Sequence, residues 1–421
     1  MVDHWLGTKC SLCGSEYGPA EVGYVCPKDG GNLDVVLDYA WIARRYRPEN
    51  IFASVEESLW RYLPLLPVGD PGAEGTPLRA AGWTPVYRPP ALARQTGIHW
   101  LWVKDESRNP TGSLKDRASA VVVARAREIG AEVVVAASTG NAGAALAGMA
   151  AAVGQKAVIF APKNAPPAKV AQLLIFGAQV ILVDGNYDQA FDLAVEAAQA
   201  FGWYCRNTGY NAFTLEGKKT TAFEIWEMVL HRLAPAARPP VIFVPVGDGN
   251  ILAGMHKGLK DLMALGWLEQ MPRLLAVQAE GSAAVANAWR AGKEEIRPVN
   301  AQTIADSISV DLPRDGVRAV RAVRQTGGEC VVVTDREIVA AIAHLGQAGI
   351  FAEPAGAAAY AGLLRALETG AVDADDRVIV LNTGSGLKDV RAAMMAVQAA
   401  PVIEPTLRAL KEHLAHFSGS E

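Results

Sequence analysis

Short apolar runs alternate with longer helical ones from about Pro77 onward, and this alternation narrows most what the chain can fold into. Residues 101–104, 133–136, 157–160, 179–183, 241–245, 274–278 and 378–381 are strand-like, being apolar, rich in β-branched residues and too short for helices. Residues 118–129, 142–153, 187–200 and 221–233 carry helical patterns and lie between them. Strands separated in this way join by crossover connections, so an α/β protein with mostly parallel sheets is expected. No repeat interrupts the pattern, and residues 401–421 read as one terminal helix.

Upstream, Cys10-Ser11-Leu12-Cys13 is followed by Cys26-Pro27-Lys28-Asp29. Two tight Cys-x-x turns on a short connection form a zinc ribbon, whose four ligands stand in tetrahedral array. Asp29 stands where a fourth cysteine would complete the set, so Cys10, Cys13, Cys26 and Asp29 form either a three-thiolate, one-carboxylate zinc site or a ribbon that keeps the fold without metal. A connecting region, 33–75, has amphipathic stretches near 38–46 and 54–62. Trp60, Trp83, Trp100 and Trp102 are expected to pack this region on the core, and Cys205 and Cys330 read as small buried hydrophobes.

With 421 residues the chain can bury a large core and divide into two or three units. A net charge of −4 gives no basic field to draw nucleic acid or an anionic membrane. The longest uncharged apolar run, 142–154, is short of the roughly 20 residues needed to span a bilayer. No signal-peptide pattern opens the chain, and five cysteines are too few for a disulfide scaffold. A cytoplasmic enzyme with a small-molecule substrate, and no nucleic-acid or membrane partner, is the expectation.

Four short motifs carry the chemistry. In Ser113-Leu114-Lys115-Asp116 a lysine sits at a helix start, where the positive end of the dipole disfavours an ammonium and suits a neutral amine or an imine to an aldehyde. Ser138-Thr139-Gly140-Asn141-Ala142 follows a strand and opens a helix, offering backbone N–H groups to a carboxylate and an amide to a hydroxyl or phenolate. Gly247-Asp248-Gly249-Asn250 can form a nest of N–H groups for phosphate. There the Asp248 carboxylate should turn away, toward Lys257 or solvent. Thr383, in Asn382-Thr383-Gly384-Ser385-Gly386, places a hydroxyl at a strand end, where α/β sheets bind ligands.

A lysine, an amide on a carboxylate-type loop, a phosphate nest and a strand-end hydroxyl are together the set that holds pyridoxal phosphate. In this order they resemble the fold-type II (tryptophan synthase β-like) enzymes, and among these the threonine synthase family. The blocks Glu74-Gly75-Thr76-Pro77-Leu78, Leu215-Glu216-Gly217-Lys218-Lys219-Thr220 and Glu353-Pro354-Ala355-Gly356 extend the likeness along most of the chain. The resemblance implies two open, mostly parallel twisted sheets with flanking helices after a small zinc-ribbon-like module. The expected division is a ribbon at 1–34, an extension and part of the large domain at 35–117, a small α/β domain at 118–225, and the rest of the large domain at 226–421. It also implies a homodimer.

By the same likeness, Lys115 carries the cofactor and acts as general acid/base, and Asn141 bonds the cofactor's 3′-oxygen. Gly247, Asp248, Gly249 and Asn250 bind its phosphate, and Thr383 faces the pyridine nitrogen. Ser138, Thr139 and Ala142 take the substrate carboxylate, with Ser113 nearby. A hydroxyl cannot stabilise a protonated ring nitrogen as a carboxylate does, which favours elimination and replacement over transamination. The implied reaction is O-phospho-L-homoserine plus water to L-threonine plus phosphate.

One position departs from the family. Threonine synthases read Asn-Pro-x-Arg-Leu-Glu-Gly, with the Arg on the substrate phosphate, where this chain reads Asn211-Ala212-Phe213-Thr214-Leu215-Glu216-Gly217. Thr214 has no guanidinium fork, and a family Ser five residues earlier is here Gly209. Arg206, Lys218 and Lys219 are the nearby cations. The alternative is β-elimination or β-replacement on an unphosphorylated amino acid, as in threonine/serine dehydratases. A non-catalytic relative is the reading from another class, against which stands the presence of Lys115, Asn141 and Thr383. A dinucleotide-binding fold lacks its Gly-x-Gly-x-x-Gly signature.

Overall fold

The structure, a computed structural model, describes residues 2–19, 21–234 and 237–417. Strands β1 (Trp5–Cys10), β2 (Glu16–Tyr17) and β3 (Leu33–Leu37) pair antiparallel in the order β2-β1-β3. Leu33, Val35 and Leu37 alternate inward and join the main core, as the period of two requires. The amphipathic stretch near 38–46 is a helix, Tyr39–Arg45. That near 54–62 is instead a 3-10 segment, Leu59–Leu65, capped by Ser58 and containing Pro64, which has no N–H for an α-helical ladder.

The remaining strands are β4 (Val86–Tyr87), β5 (Trp100–Asp105), β6 (Val133–Ala137), β7 (Lys156–Pro162), β8 (Gln179–Val183), β9 (Tyr204–Cys205), β10 (Val241–Pro245), β11 (Arg273–Ala279), β12 (Cys330–Val333) and β13 (Arg377–Asn382). A six-stranded sheet runs β12-β11-β10-β13-β5-β4, parallel except for β4. A four-stranded parallel sheet runs β8-β7-β6-β9. This is the α/β fold with two mostly parallel sheets. Every residue of β6 and β10 is buried, because helices cover both faces of each sheet and leave no polar side.

Each sheet changes winding direction at a switch point, where crevices open at the carboxyl ends of parallel strands. In the large sheet the neighbours there are β10 and β13; in the small sheet they are β6 and β9. The Gly247–Asn250 turn follows β10 and Thr383 follows β13, while Ser138 follows β6 and Arg206 follows β9. Three of the four segments that read as chemical in the sequence are thus strand-end loops of the two sheets; the fourth, around Lys115, follows β5 after a 3-10 turn at Glu106–Arg108.

Some expectations need correction. The helix expected at 221–233 is Phe213–Met228, buried along almost its whole length. Its charged residues hid it: Lys219 pairs with Glu216 and Asp261, and Glu224 with Lys104 and Arg117, all inside the protein. The tail is helical only over Leu407–Phe417, and residues 418–421 lie outside the described residues. Trp60 and Trp102 are buried as expected, but Trp100 is 42% exposed, stacked on Trp102 at the sheet edge. Among the described residues no helix is long and apolar enough to cross a membrane.

Candidate active site

Lys115 is the first residue of helix Lys115–Glu128, reached through Gly112 at φ +82°. The turn before it is sewn to the turn after β13. Leu114 N donates to Thr383 O (3.0 Å), Ser385 N donates to Gly112 O (2.9 Å), and Ser113 forms a bridge with Gly384. These bonds place Lys115 and Thr383, 268 residues apart in sequence, on one cavity wall. Desolvation lowers the Lys115 pKa; Glu353 opposes this and the Arg206 charge reinforces it. The amine is therefore held toward its neutral form, the form able to attack an aldehyde.

Ser138, Thr139, Gly140, Asn141 and Ala142 line the same cavity of about 500 Å³. They pass from β6 into helix Asn141–Ala151 with no room to spare: a Cβ on Gly143 would stand 2.3 Å from Ser138 O. Asn141 Nδ2 donates to both oxygens of Glu353 (2.7 and 2.9 Å) and to Ser307 Oγ (3.1 Å). Sequence reasoning gave Glu353 no role. Its place in the Glu353-Pro354-Ala355-Gly356 block, just before a proline-started helix, was the available signal.

Gly247, Asp248, Gly249 and Asn250 also line the cavity, at the start of helix Asn250–Ala264. Gly249 has φ +89°, and a Cβ there would lie 2.8 Å from Asp315 O; one on Gly247 would lie 2.8 Å from Ile308 Cα. The turn thus requires glycine for both its dihedral and its packing. Asp248 does not reach Lys257, which pairs with Asp261 and Glu216. Its Oδ1 accepts weakly from Arg314 N at 3.4 Å, and burial raises its pKa.

The departure at Thr214 looks different in three dimensions. Thr214 is fully buried, donates to Asn211 O (2.8 Å), and is not among the cavity-lining residues. Arg206 and Lys218 are. Arg206 Nε donates to Ser119 Oγ (3.1 Å) and Nη1 to Thr208 Oγ1 (2.7 Å), while Nη2 is buried without a partner among the described residues. Desolvation brings its pKa down to about 10. Lys218 Nζ donates to Asn250 Oδ1 (2.5 Å), and desolvation, with the charges of Arg206 and Lys115, holds its pKa well below the usual lysine value. Lys219 points away, to Glu216 and Asp261.

Of the buried polar groups without a partner among the described residues, Thr383 Oγ1 and Arg206 Nη2 mark where a ligand could complete the bonding; Ser113 Oγ is a third near Lys115. Thr383 and Arg206 line the cavity; Ser113 does not. A desolvated amine, a nest with no room for side chains and a buried hydroxyl at a strand end suit a phosphorylated aldehyde such as pyridoxal phosphate.

In the ribbon, donor atoms of Cys10, Cys13, Cys26 and Asp29 lie within 4.8 Å of one another, a set able to hold a metal ion. His4 is not in the set; its Nε2 bonds Leu66 O.

Comparison with known proteins agrees with this architecture. The family described as "Pyridoxal-phosphate dependent enzyme" matches residues 78–384. The chain belongs to that family, and it is a pyridoxal-phosphate-dependent enzyme of fold type II. Within it the relationship is to threonine synthases. That of Methanocaldococcus jannaschii is 38% identical, covering 96% of this chain and 98% of the relative. That of Methanosarcina acetivorans is 36% identical over 96% and 97%. Among solved structures, the processed form of threonine deaminase isoform 2 from Solanum lycopersicum superposes with a TM-score of 0.65 at 20% identity, covering 81% of this chain and 94% of that one, a likeness of fold.

Proposed function

We propose that this protein is a threonine synthase, converting O-phospho-L-homoserine and water to L-threonine and phosphate. The observation that carries the reading is the pair Arg206 and Lys218, a buried guanidinium and a desolvated amine on the cavity wall that make no ion pair with a carboxylate among the described residues. An unpaired buried cation is unfavourable unless a ligand supplies the anion. A substrate phosphate would do so, and the two cations take over the task that Thr214 cannot perform. The full-length likeness to threonine synthases supports the same reading.

Pyridoxal phosphate, when bound, supplies an electron sink conjugated to the substrate α-carbon. Lys115 would anchor its aldehyde, Gly247–Asn250 would hold its phosphate through backbone N–H groups, Asn141 would meet its 3′-oxygen and Thr383 its ring nitrogen. Ser138, Thr139 and Ala142 would receive the substrate carboxylate at a helix N-terminus, with Ser113 nearby. Lys115 takes the proton from Cα and, once that proton has left its amine, the proton from Cβ, as the Cγ–O bond to phosphate breaks. The same amine gives a proton to Cγ; water then adds at Cβ, and Lys115 returns a proton to Cα. Arg206 and Lys218 orient the leaving phosphate and stabilise its charge.

A second reading is β-elimination from an unphosphorylated hydroxyamino acid, and Asp248 favours it by bringing a carboxylate to the same cavity. Steady-state assays separate the two. Phosphate and threonine released in equal amounts from phosphohomoserine support the first; 2-oxo acid and ammonia from threonine or serine, with no turnover of phosphohomoserine, overturn it.

A further inference from the structure

The ribbon is built as a metal site and is wired to the cofactor-phosphate turn. Cys13 Sγ and Cys26 Sγ are 3.7 Å apart, and Cys10 Sγ is 3.3 Å from Asp29 Oδ1. The edge of a tetrahedron with zinc–sulfur bonds of about 2.3 Å is about 3.8 Å, and somewhat less to an oxygen ligand. Leu12 N donates to Cys10 Sγ (3.3 Å), as backbone amides do around a thiolate in a metal knuckle. Gly31 leaves the donors room that no side chain could share: a Cβ there would stand 2.7 Å from Cys10 Sγ.

Asn32, the next residue, leaves the ribbon. Its Nδ2 donates to Asp315 Oδ1 (2.8 Å) and to Gly209 O (2.7 Å), while its backbone O accepts from Ser11 N (2.8 Å) inside the first Cys-x-x-Cys turn. Asp315, 1% exposed, grips the cofactor-phosphate turn at two points. Its N–H donates to Asp248 O (2.8 Å), and its Oδ2 accepts from Asn250 Nδ2 (2.5 Å). Asn250 in turn accepts from Lys218 Nζ. One bonded line therefore runs from the cysteine turns through Asn32 and Asp315 to the turn and to a cation of the cavity.

We propose that Cys10, Cys13, Cys26 and Asp29 bind one zinc ion, and that this ion sets the affinity for pyridoxal phosphate through the positioning residues Asn32 and Asp315. Three thiolates and one carboxylate select a soft-to-borderline ion such as zinc over calcium or magnesium. The bound ion fixes the 26–31 turn, which fixes Asn32. Asn32, together with Arg318, orients the Asp315 carboxylate, and Asp315 holds Asp248 and Asn250, on either side of Gly249, in the turn that would take the phosphate. Without the ion the turn loses its closure and the last residues of the line lose their anchor. The proposal rests on the cofactor site and not on the choice of substrate.

The test uses the full chain, with zinc measured by plasma emission and the pyridoxal phosphate dissociation constant by titrating cofactor-stripped protein. The expected results are one zinc per wild-type chain, none in Cys13→Ser, and full zinc in Asn32→Ala. Cofactor affinity should fall about tenfold in each variant, the scale of losing one hydrogen bond to a charged group. The double variant should bind cofactor no worse than either single one, because both cut the same line; independent structural damage would add. Wild-type protein without zinc, unchanged cofactor affinity in Cys13→Ser or Asn32→Ala, or additive losses would each overturn the proposal. Failure of the substrate reading would leave all these measurements unaffected.

Discussion

Asn141 Nδ2 lies 2.7 and 2.9 Å from the two carboxylate oxygens of Glu353, so a helix start in one sheet system is tied to a helix start in the other. Glu353 also raises the Lys115 pKa against the desolvation that lowers it. Glu353→Ala should lower kcat/KM on the order of a hundredfold by misplacing Asn141. In Glu353→Gln, which keeps an acceptor but loses the charge, the Lys115 pKa should fall further. The pH midpoint for recombination of stripped protein with pyridoxal phosphate then moves to lower pH, and stopped-flow absorbance reads it.

Lys115→Ala should abolish turnover and give protein without a borohydride-reducible chromophore. Absorbance before and after borohydride reduction, with peptide mass mapping of the reduced wild type, checks both outcomes.

Arg206 and Lys218 predict an exchange of function against stability. Arg206→Gln should reduce kcat/KM for phosphohomoserine about a hundredfold or more, since a guanidinium on a dianion is replaced by a neutral amide. The same change removes an unpaired buried charge, so the melting temperature of stripped protein should rise. Inorganic phosphate should stabilise wild type in a concentration-dependent melt and stabilise the variant much less.

The turn after β10 allows no side chain at Gly249. Gly249→Ala combines φ +89° with a 2.8 Å approach to Asp315 O, and should weaken pyridoxal phosphate binding by about tenfold or more while the protein remains folded. Equilibrium titration with far-UV circular dichroism as control measures this.

Acid stability should follow the buried cluster of Arg117, Glu106, Glu224 and Lys104, all inaccessible to solvent. Desolvation pushes the Glu224 pKa up, but Arg117 and Lys104 outweigh it and bring it down to about 2 from an ordinary 4.5. A depressed carboxylate pKa contributes stability above the unfolded value. The contribution should therefore be complete above pH 4.5 and lost as pH falls toward 2, by a few kcal/mol. Glu224→Gln should destabilise the protein at pH 7 by about 3–5 kcal/mol, because Arg117 and Lys104 are left with the single carboxylate of Glu106 between them. Denaturant melts at several pH values give both quantities.

The strand–helix alternation determined the fold class, because apolar runs separated by long helices join by crossovers and pair mostly in parallel, and β8 and β10 fall where the pattern places them. Short motifs at strand ends were equally legible, since Lys115, the Ser138–Ala142 segment, the 247–250 turn and Thr383 each carry a local chemical signature. What the sequence could not reveal depended on partners distant along the chain. Lys218 and Lys219 are neighbours in sequence, yet one faces the cavity and the other an ion pair with Asp261. Thr214 reads as a lost phosphate ligand, but its hydroxyl is spent on Asn211 O, just ahead of its own helix, while Arg206, from the end of β9, reaches the cavity. Charge alone is silent on direction; the crossing of helices Lys115–Glu128 and Phe213–Met228, so close that a Cβ on Gly217 would lie 2.2 Å from Arg117 O, decided it. That packing is a property of two segments a hundred residues apart, and only the tertiary structure brings them together.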